Sequence, residues 1–212
     1  MGDNMEASPW ASAGDRRRSR LDKREAVLRA AAQIFNEKGF QNTSLDEVAQ
    51  RLNVTKPTLY YYVRSKDEIL FECVKIGLTM VQESIQEVEV QGGSALDKLR
   101  AAMRRYAHIV TMDFGRCLIL VGEDPLPAES QVKLRRIKAD IDAEFRRLIE
   151  QAVAEGDLRP CDPKIAAFTI AGALSWIARW YKPSGPLRPD DIADQSIMLL
   201  LTGLCRPGKG EN

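Results

Sequence analysis

The sequence contains no long hydrophobic run. Its longest stretch without a charged side chain is Ile165 to Ala178, only 14 of the 212 residues, whereas a transmembrane helix needs about 20. The arginines between Arg16 and Arg20 are not followed by an apolar stretch, so no secretory signal is visible. We therefore expect a protein that has no membrane partner and stays in the cytosol.

Metal ligands are also scarce. Histidine occurs once, at His108, and four cysteines stand at regular intervals, at Cys73, Cys117, Cys161 and Cys205. None of them forms the CxxC pair of a zinc site, so local spacing builds no metal cluster. We predict no metal and no cofactor, and we expect the thiols to be buried in a reducing compartment.

Catalytic motifs are missing as well, since neither GxSxG nor HExxH occurs. Residues 203–210, GLCRPGKG, have the glycine and lysine spacing of a phosphate-binding loop, but Gly210 stands where Ser or Thr is required and no predicted strand precedes them. His108 lies among apolar neighbours on a predicted helix, where a core histidine is commoner than a catalytic base. These absences predict that the protein is not an enzyme.

Charge is distributed unevenly along the chain. Residues 16–66 contain 12 Lys or Arg against 5 Asp or Glu, whereas residues 67–212 contain 19 against 22. A basic first third on a mildly acidic remainder predicts a polyanionic partner for the N-terminal part.

The same basic region contains the signals of a helix-turn-helix. Residues 1–20 lack apolar periodicity and are predicted to form a flexible arm. Helix starts are indicated by the pairs Asp22/Glu25, Ser44/Glu47, Thr55/Pro57 and Ser65/Glu68. Gly39 is expected to end the first helix, and Asn53 tolerates a left-handed turn between the second and the third. Two short helices joined by so tight a turn are typical of DNA-binding proteins.

The third predicted helix has an unusual outer face. Leu59 and Val63 are its inward positions, and the side chains left to face outward are Lys56, Thr58, Tyr60, Tyr61 and Tyr62. Successive residues lie about 100° apart around a helix, so at least two tyrosines must be exposed. Lysines and phenol oxygens can reach phosphates, and tyrosine rings can touch base edges, so this face predicts binding to double-stranded DNA.

The segment from Thr43 to Leu70, TSLDEVAQRLNVTKPTLYYYVRSKDEIL, resembles the DNA-binding signature of the TetR family of bacterial transcriptional repressors. The resemblance implies an all-α homodimer in which a three-helix DNA-binding domain precedes a larger helical ligand-binding and dimerisation domain. It implies a ligand-responsive repressor. It places the family's DNA contacts on Thr43, Ser44, Lys56, Pro57, Thr58, Tyr60, Tyr61, Tyr62 and Lys66. Val63 stands where most members have Phe, which alters packing more than contacts.

We therefore divide the chain into a basic arm (1–20), a helix-turn-helix domain (21–67), a ligand-binding and dimerisation domain (68–206) and a disordered tail (207–212). Two interpretations of the arginines at 16–20 stay open: an arm that contacts DNA, or a solvated tail.

The C-terminal part reads as helices with apolar faces. One begins near Leu96 and is interrupted at Phe114 to Arg116, a long one covers about 130–155, and the last ends near Leu204. The helix from Pro163 is apolar nearly all round, which predicts that a second copy covers part of it; a monomeric core helix is the alternative. In a two-fold dimer the recognition helices must lie about 34–36 Å apart, so the operator should be palindromic.

Large side chains in this part indicate a small hydrophobic effector. The candidate ligand-binding residues are Tyr106, Met112, Phe114, Trp176, Arg179 and Trp180, although most of these types are equally common in an ordinary core. Residues 175–195, SWIARWYKPSGPLRPDDIADQ, resemble the end of TetR-family members that control fatty-acid, steroid or aromatic breakdown. That resemblance makes an acyl-CoA one candidate effector. A DNA-binding dimer without an effector and an enzyme with a divergent helical site are the alternatives.

Overall fold

A computed structural model of the chain describes residues 16–202, which form α-helices joined by turns and contain no strand. The helices are α1 (Arg16–Lys38), α2 (Leu45–Arg51), α3 (Lys56–Tyr60), α4 (Lys66–Gln91), α5 (Ala95–Ile109), α6 (Asp113–Leu120), α7 (Ala128–Glu155), α8 (Pro163–Trp180) and α9 (Pro189–Thr202). The predicted all-α class is confirmed. None of the helices in this part of the chain is long and apolar enough to cross a membrane.

The helix boundaries in the first third follow the local signals. Gly39 has φ +81° directly after α1, and Asn53 has φ +53° between α2 and α3. Ser44 and Glu47 form a complete capping box at the start of α2. The Thr55 side chain accepts a hydrogen bond from the amide of Thr58, and Ser65 accepts one from Glu68. These residues satisfy amides that a helix start otherwise leaves unpaired.

The predicted start of the first helix at Asp22 is wrong, because α1 is already helical at Arg16. Arginine is a good helix former, and no Gly or Pro lies between Arg16 and Lys38. Once the packed part of α1 has formed, adding further turns at its end costs little. Residues 16–20 of the predicted arm are therefore part of α1. The rest of the predicted arm and the predicted tail at 207–212 lie outside the described residues.

The predicted interruption at Phe114 to Arg116 is also wrong, since these residues lie inside α6. The chain breaks earlier, at Val110 to Met112. Gly115 does not end the helix; a Cβ there would clash with the carbonyl oxygen of Ile109, so the missing side chain lets α6 fold back against the end of α5. A glycine can mark close packing as well as a helix end.

Two hydrophobic cores share α4 and meet at α6. The N-terminal core consists mainly of buried side chains from α1 to α4; it also contains Phe114, Cys117 and Leu118 of α6, Leu126, and Leu134 of α7. The C-terminal core consists of buried side chains from the second half of α4 and from α5, α7, α8 and α9. Because α4 continues through the predicted domain boundary at residues 67 and 68, no flexible linker separates the two cores.

Candidate nucleic-acid interface and ligand cavity

The turn between α2 and α3 is fixed by backbone hydrogen bonds. The amide of Asn53 donates to the carbonyl of Gln50 (3.0 Å), and that of Val54 donates to Ala49 (2.9 Å). Leu59 and Val63 are fully buried in the N-terminal core, as their spacing predicts. These two anchors determine which side of α3 faces outward.

The outward side of α3 carries the predicted aromatic and cationic groups. Lys56, Pro57 and Tyr60 are exposed, Thr58 is half-buried, and the exposed fractions of Tyr60 and Tyr61 are 47% and 65%. The prediction that at least two tyrosines face outward is confirmed. Together these side chains form a surface that we call the α3 face.

The helix is shorter than the sequence suggested. It ends at Tyr60; Tyr61 is the C-cap and Tyr62 lies in the following turn, where its amide donates to the carbonyl of Leu59 (2.9 Å). Tyr62 is half-buried, packs against the N-terminal core and stacks edge-on with Tyr61 at 5.0 Å between ring centroids. Tyr62 thus packs against the core and holds the Tyr61 ring in place, and only part of its side chain belongs to the α3 face.

Lys56 is held by a carboxylate at the edge of the α3 face. Its Nζ lies 2.9 Å from Oδ2 of Asp46 on α2, and this hydrogen bond raises the pKa of Lys56. The pair is exposed to solvent, so a phosphate oxygen can replace Asp46 at small cost.

Lys66, Thr43 and Ser44 have structural contacts as well as predicted DNA contacts. The Lys66 Nζ donates to the carbonyls of Phe40 (2.9 Å) and Thr43 (3.1 Å) and lies 4.3 Å from the centroid of the Phe40 ring. Thr43 is buried and its hydroxyl donates to the carbonyl of Gly39 (2.9 Å), while Ser44 caps α2. An ammonium group has three N–H donors, so Lys66 keeps one for a phosphate. The Thr43 hydroxyl is buried and its single O–H already donates to Gly39, so it has no donor left for DNA.

A contact that the sequence did not indicate lies beside this face. The guanidinium carbon of Arg20 on α1 is 5.3 Å from the centroid of the Tyr61 ring. The cation–π contact exists only because α1 begins before Asp22 and runs past α3. It brings one of the arginines of the predicted arm to the α3 face.

A cavity of about 270 Å³ lies between α4, α5, α6, α7 and α8. Its wall is mostly aliphatic and aromatic. Four of the lining side chains carry a polar or charged group: Tyr106, Lys138, Asp142 and Ser175. The hydroxyl oxygens of Tyr106 and Ser175 lie 2.7 Å apart. Burial raises the pKa of the Tyr106 hydroxyl, and the hydrogen bond with Ser175 only partly opposes this effect.

Of the six predicted ligand-binding residues, only Tyr106 lines this cavity. Phe114 is buried in the N-terminal core below the guanidinium of Arg29, and Met112 lies beside a separate surface depression near His108. Trp176 and Trp180 are exposed, and Arg179 lies over the Trp176 ring at 5.6 Å. The predicted set therefore does not form one site.

The exposed tryptophans belong to an apolar surface on α8. Ile165, Phe168, Gly172 and Trp176 share one side of the helix, and the exposed fractions of Phe168 and Trp176 are 57% and 62%. A Cβ at Gly172 would meet no atom within 4 Å. We call these four residues the α8 outer face; Phe168 also lines the cavity.

Comparison with known proteins gives these surfaces a context. Residues 27–73 match the model of the bacterial regulatory proteins of the tetR family, and residues 92–204 match a tetracyclin repressor-like C-terminal domain. The chain belongs to the TetR family. It is a DNA-binding transcriptional regulator and not an enzyme, and the matched N-terminal region includes α2 and α3.

Solved TetR-family structures superpose over most of the chain. AibR, solved in complex with isovaleryl coenzyme A and operator DNA, is 28% identical with a TM-score of 0.74, covering 84% of this chain and 97% of AibR. PfmR from Thermus thermophilus is 28% identical with a TM-score of 0.76, covering 85% and 99%. In sequence, the transcriptional repressor KstR2 of Mycolicibacterium smegmatis is 23% identical over 192 residues, 86% of this chain and 90% of KstR2.

Most of the cavity wall of this TetR-family protein cannot be recognised from the sequence. Ile141 and Phe145 belong to the apolar stripe of α7, and Ser175 is a small polar residue on an apolar helix. A stripe of this kind looks the same whether it faces a core or a cavity. Ser175 carries a weak signal, because a hydroxyl on the apolar part of α8 needs a partner, but Thr169 on the same helix carries the same signal and is exposed to solvent.

Proposed function

We propose that this protein is a ligand-responsive repressor that binds palindromic operator DNA as a homodimer and is released by a small hydrophobic molecule in the cavity between α4 and α8. The observation that carries the proposal is the α3 face, where exposed Tyr60 and Tyr61 stand on the buried anchors Leu59 and Val63. Exposed aromatic side chains held rigidly beside cations suit a DNA groove.

The proposed DNA contacts divide into two kinds. Lys56 and the remaining N–H of Lys66 lie at the edges of the α3 face and are assigned to phosphates. Tyr60 and Thr58 are assigned to base edges: Tyr60 is exposed, and Thr58 is half-buried with its hydroxyl 2.8 Å from that of Thr55, which leaves its methyl group for a base edge. Ser44 and Pro57 are exposed at the starts of α2 and α3 and are assigned to the phosphate backbone.

The α8 outer face is assigned to dimerisation. Large apolar side chains exposed on one helix face are typical of an interface between subunits. Gly172 stands among them with open space above it, so a second α8 can approach closely. A two-fold axis through this face would place two α3 helices on one operator.

The coupling between cavity and DNA is assigned to α6. At its first residue, Asp113, the side chain accepts a hydrogen bond from Gln33 of α1 (3.0 Å) and the carbonyl accepts one from Asn36 (2.9 Å). At its other end Leu118 and Ile119 line the cavity. A ligand that displaces these side chains would move a helix that holds α1, and it shifts the equilibrium only by its differential affinity for the two forms.

An acyl-CoA remains a candidate effector. AibR, which was solved with isovaleryl coenzyme A, supports a ligand of this class. Of the cations on α7, Lys138 lines the cavity and Arg135 lies beside it, both facing Glu123. Lys138 and Arg135 are thus placed to contact the phosphate groups of a coenzyme A that extends out of the cavity.

The proposal is tested by selecting duplexes from a random pool with the full-length protein. We expect the enriched sequences to be two-fold symmetric, with half-site centres about one helical turn (34–36 Å) or a multiple of it apart. Tyr60→Ala should weaken binding to the selected operator by roughly 1–3 kcal/mol while leaving binding to random DNA almost unchanged. Equal losses on both DNAs would exclude Tyr60 from base recognition, and asymmetric selected sites would contradict the dimer.

A further inference from the structure

We infer that the cavity selects a small, uncharged carbonyl compound and that the hydroxyl pair of Tyr106 and Ser175 binds its carbonyl oxygen. The inference rests on the proposed function, because it names the chemical class that the effector presents to the cavity. Three properties of the wall carry it: its donors, its charges and its size.

The hydroxyl pair has one donor to spare. Tyr106 and Ser175 each carry one O–H, and the single hydrogen bond between them, 2.7 Å long, uses one of the two. Neither hydroxyl has a second partner among residues 16–202. A tyrosine keeps its proton at neutral pH, and burial raises the pKa of Tyr106 further. One O–H is therefore left without an acceptor at the cavity wall, where both side chains lie.

The charged groups of the wall are already paired. Lys138 forms an ion pair with the buried Glu123, and Asp142 forms one with Arg146. A carboxylate entering the cavity would have to compete with Glu123 for Lys138 and would lose its hydration. A thioester, ester or ketone offers the acceptor without the charge.

The cavity volume limits the group that enters. A short or branched acyl group or a single aromatic ring fits a cavity of about 270 Å³. Lys138 also lines the cavity and its side chain is 38% exposed, so any larger part of the molecule would leave beside Lys138, away from the α8 outer face.

Three probes of matched size separate these properties: the S-methyl thioester of 3-methylbutanoic acid, the free acid, and the thioether in which CH₂ replaces the carbonyl. Binding to the full-length protein is measured by titration calorimetry at pH 7. The thioester should bind roughly three- to tenfold more tightly than the thioether, as one added hydrogen bond allows. The acid, ionised at this pH, should bind at least roughly tenfold more weakly than the thioester.

Variants then identify the donor. In Tyr106→Phe or Ser175→Ala the remaining hydroxyl still has its proton, so each variant should keep part of the preference for the thioester over the thioether. The double variant should lose that preference entirely. Ser84→Ala removes another buried hydroxyl, one bonded to the carbonyl of Val81, and serves as the control that should keep it; circular dichroism checks that each variant is folded.

The inference is overturned by tighter binding of the acid than of the thioester, and equally by a double variant that still prefers the thioester. Release from the operator is measured separately. Thioester binding that leaves the operator affinity unchanged would contradict the proposed release while the recognition by Tyr106 and Ser175 stands. Conversely, release by another effector with no binding of the three probes would overturn the inference and leave the repressor function intact.

Discussion

Lys56 and Lys66 look alike in the sequence, because each is a lysine beside a helix cap in the DNA-binding segment. Their surroundings differ. Lys56 faces one exposed carboxylate, that of Asp46, whereas Lys66 holds two backbone carbonyls between α1 and α2. The first lysine can be removed without affecting the fold, and the second cannot.

Lys66→Met and Lys56→Met should therefore separate stability from DNA binding. Each variant should reduce the slope of log K for operator DNA against log salt by about one, as the loss of one phosphate contact predicts. Only Lys66→Met should also lower the free energy of unfolding, by about 1.5–3 kcal/mol, because its hydrogen bonds are charged. Urea unfolding and binding titrations at several salt concentrations measure both quantities. An unchanged slope in Lys66→Met would remove Lys66 from the phosphate contacts.

At the scale of the helices, two glycines in ordinary helical conformation, Gly77 and Gly115, allow α4, α5 and α6 to pack closely because they have no side chain. A Cβ at Gly77 on α4 would lie 2.8 Å from the carbonyl oxygen of Phe114, and one at Gly115 would clash with that of Ile109. Both obstacles are backbone atoms, which cannot rotate away. Gly172 on α8 has the opposite environment, with open space around it.

The same substitution at these positions should have opposite effects. Gly115→Ala should lower the free energy of unfolding by about 3 kcal/mol, since overpacking has to move α6 away from α5. Gly172→Ala should raise that of the single subunit, measured at protein concentrations too low for the dimer, by about 0.5–1 kcal/mol, because alanine restricts the unfolded chain and favours the helix. Denaturant unfolding of the two variants beside the parent protein measures the difference. A Gly115→Ala variant as stable as the parent would show that α5 and α6 can separate without loss.

Local sequence signals predicted the helices well. They did not predict which residues become neighbours in the folded protein. Ser44, Thr55 and Gly39 act on amides and turns within a few residues, so their roles could be read from the sequence. The interruption predicted at Phe114 to Arg116 is wrong because the role of Gly115 depends on Ile109, which only the fold brings close. Trp176 and Phe114 were grouped with Tyr106 as large apolar residues, yet one is on the surface, one is in the core and one is in the cavity. Residue type does not encode which of these three an apolar side chain faces.

At the scale of the whole molecule, the α8 outer face leads to a test of assembly. Gly172→Arg introduces a long charged side chain where the monomer has room for it, so the fold should persist. A second α8 packed over this position would be blocked, and the variant should be monomeric in analytical ultracentrifugation and bind the palindromic operator at least roughly 100-fold more weakly. Ala154→Arg, at an exposed position on α7, is the matched control and should leave both properties unchanged. A dimeric Gly172→Arg protein would place the interface elsewhere.

The 26 residues of α4 pass from one core into the other without interruption. At 1.5 Å per residue this rod is about 39 Å long. The cavity meets α4 at Leu78 and Val81, about 20 Å from its operator end. Tilting the rod by some 5° there would carry that end about 2 Å sideways, about half of the roughly 3.4 Å rise of one base pair. A guest of only a few atoms would thus displace each head by about half a base-pair step without ever approaching the duplex.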